Sequence, residues 1–176
     1  MYRLKPPSLL SPTPRLSIVT ASGPTWTPYS TKTRARVVEQ RHRRGLIDTS
    51  VVIDLDRLDV ETLPRELAVS AVTFAELSAG PHATNDVAER ARRQERLQLA
   101  EATFDPLPLD GGVARAYGRV YAEVVAAGRE ARGRAFHLLI AATAVAAELP
   151  LYTCNPDDFR GLSRLLEVVH TNPSLS

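Results

Sequence analysis

Acidic residues stand at or just after short apolar runs in this chain, a placement that can hold a hard cation against a phosphate. Asp48 closes the run Gly45-Leu46-Ile47, and Glu76 lies inside Ser70-Ala71-Val72-Thr73-Phe74-Ala75-Glu76-Leu77. Asp157 and Asp158 follow Leu151-Tyr152-Thr153-Cys154-Asn155-Pro156. In an open parallel α/β sheet, side chains at the C-terminal ends of strands converge on one crevice, where ligands bind. A crevice rich in oxygen donors and poor in thiols suits Mg²⁺ or Mn²⁺. Such an ion makes a water nucleophilic and neutralises charge on a phosphate, so phosphodiester hydrolysis is the chemistry within reach.

Each acid has a plainer role to set against this one. Asp48 could merely cap the helix it precedes, although Thr49 or Ser50 could do that instead. Glu76 could be solvated, but a lone carboxylate in so apolar a stretch is costly to bury unless it is paired or metal-bound. Asn155-Pro156-Asp157-Asp158 also reads as a turn entering a helix cap, so one of these two acids has that role alone. Asp157 is the preferred ligand of the pair. The hydroxyls of Thr49, Ser50 and Thr153, together with Asn155 and Asp158, are the supporting groups able to orient water or ligands.

The elements that must position these residues alternate. Strands are expected at 45–47, 67–70, 103–107, 151–153 and 166–170, and a helix enters at Asp48-Thr49-Ser50. Further helices are expected at 72–79, stopped by Gly80-Pro81, and at 86–102, capped by Asn85 or Asp86. Two more run from Asp110 to about 127, ended by Gly128, and over 136–148. Alternating strands and helices imply parallel pairing through crossovers, hence a three-layer α/β/α domain with a central parallel sheet.

Composition sets the boundaries. At 176 residues, 24% charged and 44% hydrophobic, the chain suits one globular domain. No apolar run approaches the roughly 20 residues that span a bilayer, and prolines interrupt the N-terminus where a secretory leader would be apolar. The lone Cys154 has no partner for an internal disulfide, so a cytoplasmic location is expected. Residues 1–44 hold nine Lys/Arg against one acid, and residues 45–176 hold thirteen arginines against nineteen acids. The first segment also carries six of the thirteen prolines and both lysines, Lys5 and Lys32. It reads as a disordered basic, proline-rich extension or as the product of a start assigned too early, and 45–176 as the folded domain. An acidic body approaches phosphates through a metal ion or local arginine patches.

Four motifs in fixed order carry a resemblance. Leu-Ile-Asp-Thr-Ser at 46–50, Ala-Val-Thr-Phe-Ala-Glu-Leu at 71–77, Leu-Ile-Ala-Ala-Thr-Ala at 139–144 and Leu-Tyr-Thr-Cys-Asn-Pro-Asp-Asp-Phe at 151–159 resemble the PIN-domain family, and within it the VapC-type toxins of bacterial toxin–antitoxin pairs. The likeness covers 45 to about 170. It implies metal-dependent cleavage of RNA, with Asp48, Glu76 and Asp157 as catalytic ligands, a small antitoxin that blocks the site, and a toxin homodimer.

One position departs from the pattern. The family's apolar helix opens with Asp where this chain has His137. Asp suits a helix N-terminus by capping and by dipole, whereas a protonated imidazole does not. A neutral imidazole can still serve as a metal ligand and tilts preference from Mg²⁺ toward Mn²⁺ or Zn²⁺. The expected function is therefore an endoribonuclease toxin whose activity His137 weakens, with a non-cleaving module that binds antitoxin or RNA as the alternative. Arg129, Arg132 and Arg134 cluster just before this helix, where Arg132 and Arg134 could meet RNA phosphates, although a solvated loop is the more common explanation of such a run. A thiol nucleophile at Cys154 lacks an orienting third group. The stretch Val51-Val52-Ile53-Asp54-Leu55-Asp56 resembles a haloacid-dehalogenase phosphatase start, but no lysine follows Lys32 to hold a phosphate.

Overall fold

A computed structural model describes residues 41–173 of the protein. The run Gly45-Leu46-Ile47 has no solvated face, and it forms strand β1 (Arg44–Ile47) at the centre of a sheet. Strands β2 (Glu66–Ala68), β3 (Leu151–Thr153) and β4 (Val168–His170) complete that sheet in the order β2-β1-β3-β4, all parallel. Register places Leu46 opposite both Ala68 and Leu151, and Ile47 opposite Tyr152.

Side chains alternate across a strand, and the two faces build two cores. Leu46, Ala68 and Leu151 belong to a cluster with Val113, Val120, Leu138 and Ile140. Those four come from helices α4 (Gly111–Ala126) and α5 (Ala135–Ala146), whose mutual packing is the most extensive between any two elements. Ile47, Val69 and Tyr152 belong to the opposite cluster, with Val51 and Val52 of α1 (Thr49–Ile53), Leu77 of α2 (Ala71–Ala79) and Leu97 of α3 (Val87–Thr103). Two helical layers thus sandwich the sheet, the α/β/α arrangement expected from the alternation.

Local chemistry sets the helix starts. Asp48, Ser70, Asp86 and Asp110 each accept a backbone N–H of the following turn, satisfying donors that the helix leaves open. Helix α5 differs: its N-cap residue, Arg134, makes no side-chain capping bond. Among the described residues no helix is long and apolar enough to cross a membrane.

Two expectations change. The strand foreseen at 103–107 shrinks to a single parallel bridge between Ser70 and Leu107. Helix α3 runs through Thr103, Phe104 N–H still donates to the Ala100 carbonyl, and Pro106 has no N–H to offer a ladder. The second concerns residues 41–44, which the composition assigned to the basic extension. Arg41 donates to the Leu63 carbonyl at 2.8 Å and pairs with Glu61 at 3.2 Å, and Arg44 opens β1. His42 meets the Tyr152 hydroxyl at 2.8 Å and Glu167 at 3.2 Å. The remainder of that extension, residues 1–40, lies outside the described residues.

Candidate active site

The sheet order reverses the direction of strand addition between β1 and β3. From β1 the chain moves to β2 on one side, then returns to β3 on the other, leaving a crevice beyond the carboxyl ends of the two central strands. Asp48 is the first residue past β1, and Thr153 is the last of β3. A cleft of about 230 Å³ opens at that point, lined by Asp48, Glu76, His137 and Asp158, with Asn155, Thr49 and Ser50 between them.

Asp48 is held hardest. It is 4% exposed, and its Oδ1 accepts the Ser50 hydroxyl at 2.7 Å and the Val51 N–H at 3.0 Å. Its Oδ2 accepts the Thr153 hydroxyl at 2.7 Å. The capping role is therefore real, but it uses one oxygen of a carboxylate whose other oxygen is tied to a neighbouring strand. Burial pushes the Asp48 carboxyl above its ordinary range, while the hydrogen bonds from Ser50, Thr153 and Val51 and the nearby His137 pull it back in part. A desolvated carboxylate gains most from a cation placed beside it.

The supports interlock. Ser50 Oγ, besides donating to Asp48, accepts the Cys154 N–H at 3.0 Å. Thr153 Oγ1 accepts the Asn155 N–H at 2.9 Å, fixing the chain as it leaves β3. Glu76, on the middle of α2, accepts a hydrogen bond from the Thr49 hydroxyl, so the first residue of α1 orients the acid of the next helix. Asp48 and Glu76 thus face one cleft from two elements.

Asp157 and Asp158 separate cleanly. They lie in a 3-10 turn, Pro156–Phe159, whose successive side chains point about 120° apart. Phe159 is buried, which fixes the rotation of the turn. Asp158 then faces the cleft, with its carboxylate 3.8 Å from His137 Nε2 and 3.6 Å from the Arg134 guanidinium. Asp157 points outward, 69% exposed, and pairs with Arg160 at 2.7 Å. Of the pair, Asp158 and not the preferred Asp157 thus lines the cleft.

His137 stands in the first turn of α5, beside Asp158 and edge-on to the Phe159 ring at 6.0 Å. Arg132 is exposed and does not line the cleft. Arg134 is engaged with Asp158, and Arg129 donates to the backbone carbonyls of Asp157 and Arg160. The arginine loop therefore braces the turn that carries Asp158. Cys154 Sγ lies 3.6 Å from the Thr171 hydroxyl. Tyr117 and Tyr121 pack on each other at 6.1 Å, and Tyr117 also packs against the core.

As a donor set, three carboxylates, an amide and an imidazole suit a hard divalent ion. Among the described residues no three of His, Cys, Asp and Glu are drawn tightly enough to enclose one ion. Thr49 holds Glu76, and Arg134 and His137 flank Asp158, so each acid of the cleft has its own partner.

Comparison with known proteins supplies the family. Residues 45–165 match the PIN domain model. Ribonuclease VapC5 of Mycobacterium tuberculosis is 36% identical over 121 residues, covering 67% of this chain and 87% of that protein. Ribonuclease VapC8 of the same species is 38% identical over 101 residues, 57% of this chain and 89% of its own length. The crystal structure of VapBC-5 from Mycobacterium tuberculosis, a member of the VapBC family of toxin–antitoxin systems, aligns at a TM-score of 0.64 and 33% identity, covering 73% of this chain and 98% of that one. The parallel sheet, the acids gathered at its central strand ends and these matches lead to one assignment: the chain belongs to the PIN-domain family, among its VapC-type members.

Proposed function

We propose that this protein is a divalent-cation-dependent endoribonuclease and the toxin of a toxin–antitoxin pair. The observation that carries the reading is the buried Asp48 sharing one cleft with Glu76 and Asp158 at the carboxyl ends of the central strands. The ribonucleases VapC5 and VapC8 support it by likeness.

Asp48, Glu76 and Asp158 are the residues that would hold Mg²⁺ or Mn²⁺, with His137 at the rim as a fourth donor. The ion, when bound, supplies an acidified water and neutralises charge on the scissile phosphate. The chain's own part is preorganisation. Ser50, Val51 and Thr153 leave Asp48 no rotational freedom, Thr49 aims Glu76, and Arg134 and His137 hold Asp158 at the cleft wall. Asp48's desolvation makes its negative charge expensive until a cation offsets it, which favours loading.

A small antitoxin protein that covers the cleft, a homodimer and a cytoplasmic location belong to the same proposal. The likeness to the VapBC-5 toxin–antitoxin structure supports the partner. A second reading, a non-cleaving module that keeps antitoxin or RNA binding, is favoured by His137 and by the pairing of Asp158 with Arg134. One experiment separates them: incubation of the full chain with single-stranded RNA under Mg²⁺, Mn²⁺ or EDTA, beside calorimetric titration of each metal. Cleavage that needs metal and vanishes in Asp48→Asn supports the enzyme. A folded protein that binds neither ion and cuts nothing, yet still binds RNA or a small antitoxin protein, supports the module.

A further inference from the structure

A second concavity adjoins the carboxylate cleft, and its far wall has no part in the chemistry described above. It encloses about 300 Å³ and shares Thr49, Ile53 and Glu76 with the cleft, so the two are continuous. Its far wall is the face of α3 that carries Arg93 and Arg96. These arginines differ. Arg93 is committed, donating to Glu89 at 2.8 Å and to the Gly80 carbonyl at 3.0 Å. Glu89 in turn accepts Arg92 at 2.6 Å, and the two guanidinium groups hold its carboxyl below the usual range. Glu89 is thus neutralised inside the concavity. Arg96 is half-buried against the same wall and makes no ion pair among the described residues.

A half-buried arginine that lines an open concavity and has no ion-pair partner among the described residues offers a place for an anion, even in a body where acids outnumber arginines nineteen to thirteen. The floor beside it is apolar, formed by Leu77 and by Ile53, which stays 36% exposed. A cation beside an apolar surface can take one nucleotide of a single strand, with the phosphate on the guanidinium and the base in van der Waals contact with the aliphatic side chains. We infer that the concavity between α2 and α3 seats the RNA nucleotide next to the scissile phosphate, with Arg96 as its phosphate contact and Arg93 holding the wall in shape.

The inference rests on the cleft's being an RNA-cleaving centre, but its test does not depend on cleavage. Binding of the full chain to a fluorescein-labelled single-stranded RNA decamer is measured by anisotropy in EDTA across a salt series. Removing one phosphate contact to a single strand reduces the steepness of the fall of log K with log salt by about 0.7. Arg96→Gln is expected to show that drop with several-fold weaker binding, and Arg96→Lys to restore the slope because it keeps the charge. Where metal-dependent cleavage is present, Arg96→Gln raises KM and leaves kcat within about twofold. An unchanged slope and affinity in Arg96→Gln overturns the subsite even if the protein cleaves RNA. Loss of binding to a partner protein with RNA affinity intact overturns it too and gives the concavity to that protein. A slope change in a protein that cuts no RNA keeps the subsite and removes the cleavage reading instead.

Discussion

The Thr153 hydroxyl donates to Asp48 Oδ2 at 2.7 Å across 105 residues of chain, joining the ends of two neighbouring parallel strands. Both side chains are essentially shut off from solvent. Removal of the hydroxyl strands an oxygen of Asp48 and frees the Asn155 N–H, which rests on the same Thr153 oxygen. Thr153→Val is therefore expected to destabilise the fold by about 1–3 kcal/mol. It should also lower RNA cleavage by about 10–100-fold, the usual cost of losing a group that orients a ligand. Thermal melting together with single-turnover cleavage checks both, and a variant that melts normally and cuts normally removes Thr153 from the site.

Asp48→Asn keeps the shape of the side chain and the acceptor for Ser50 and Val51. Cleavage is expected to fall by at least about 10²–10³-fold, since the electrostatic part played by a bound ion is worth several kcal/mol. Stability should move the other way. Burial raises the Asp48 carboxyl in the fold, so the native state binds that proton more tightly than the unfolded chain does. Asp48 thus costs metal-free stability progressively as pH rises from its ordinary value through the raised one, and that cost persists at neutral pH. The asparagine variant should be the more stable protein in EDTA at pH 7, with the advantage fading under acid. A denaturant titration at both pH values decides this, and a less stable variant at pH 7 contradicts it.

The two acids of the 3-10 turn are expected to behave differently. Asp157→Asn loses an exposed pair with Arg160, worth about 0–1 kcal/mol, and should leave cleavage unchanged. Asp158→Asn removes a carboxylate from the cleft and should weaken metal binding and cut the rate by tenfold or more. Parallel calorimetry and kinetics on the two variants test the assignment, which fails if Asp157→Asn is the damaging change.

His137→Asp places a carboxylate in the first turn of α5, where the helix dipole favours negative charge, and adds a hard oxygen donor. Mg²⁺-dependent cleavage should rise, and Mg²⁺ should raise the melting temperature more than it does in the parent. Without metal the added acid crowds Asp158, so the variant should melt lower in EDTA. Equal or lower activity in Mg²⁺ would refute this account of the position.

Gly45 has no room for a side chain, because a Cβ there would stand 2.6 Å from the Tyr152 ring. Gly45→Ala must displace that ring, which also holds His42, and should cost about 1–3 kcal/mol as overpacking does. Equilibrium unfolding measures this directly, and a variant as stable as the parent shows that the ring moves freely.

Much of this architecture was legible in the residues themselves. Apolar runs that end in Asp48 and Thr153 mark strand ends, and Ser70, Asp86 and Asp110 mark helix starts, because capping and burial act over a few neighbouring residues. Glu76 announced itself as an acid among apolar neighbours for the same local reason. Tertiary structure alone decided the rest. That Asp158 and not Asp157 faces the cleft depends on how the buried Phe159 rotates a 3-10 turn. The strand foreseen at 103–107 became one bridge because α3 extends to Thr103 and Pro106 offers no donor. Arg96 gave no signal along the chain, since its meaning comes from a wall shared with Glu76 on another helix. Local preferences name the elements. Which side chains meet is set by strand order and by the packing of residues a hundred positions apart, and no window of sequence contains that information.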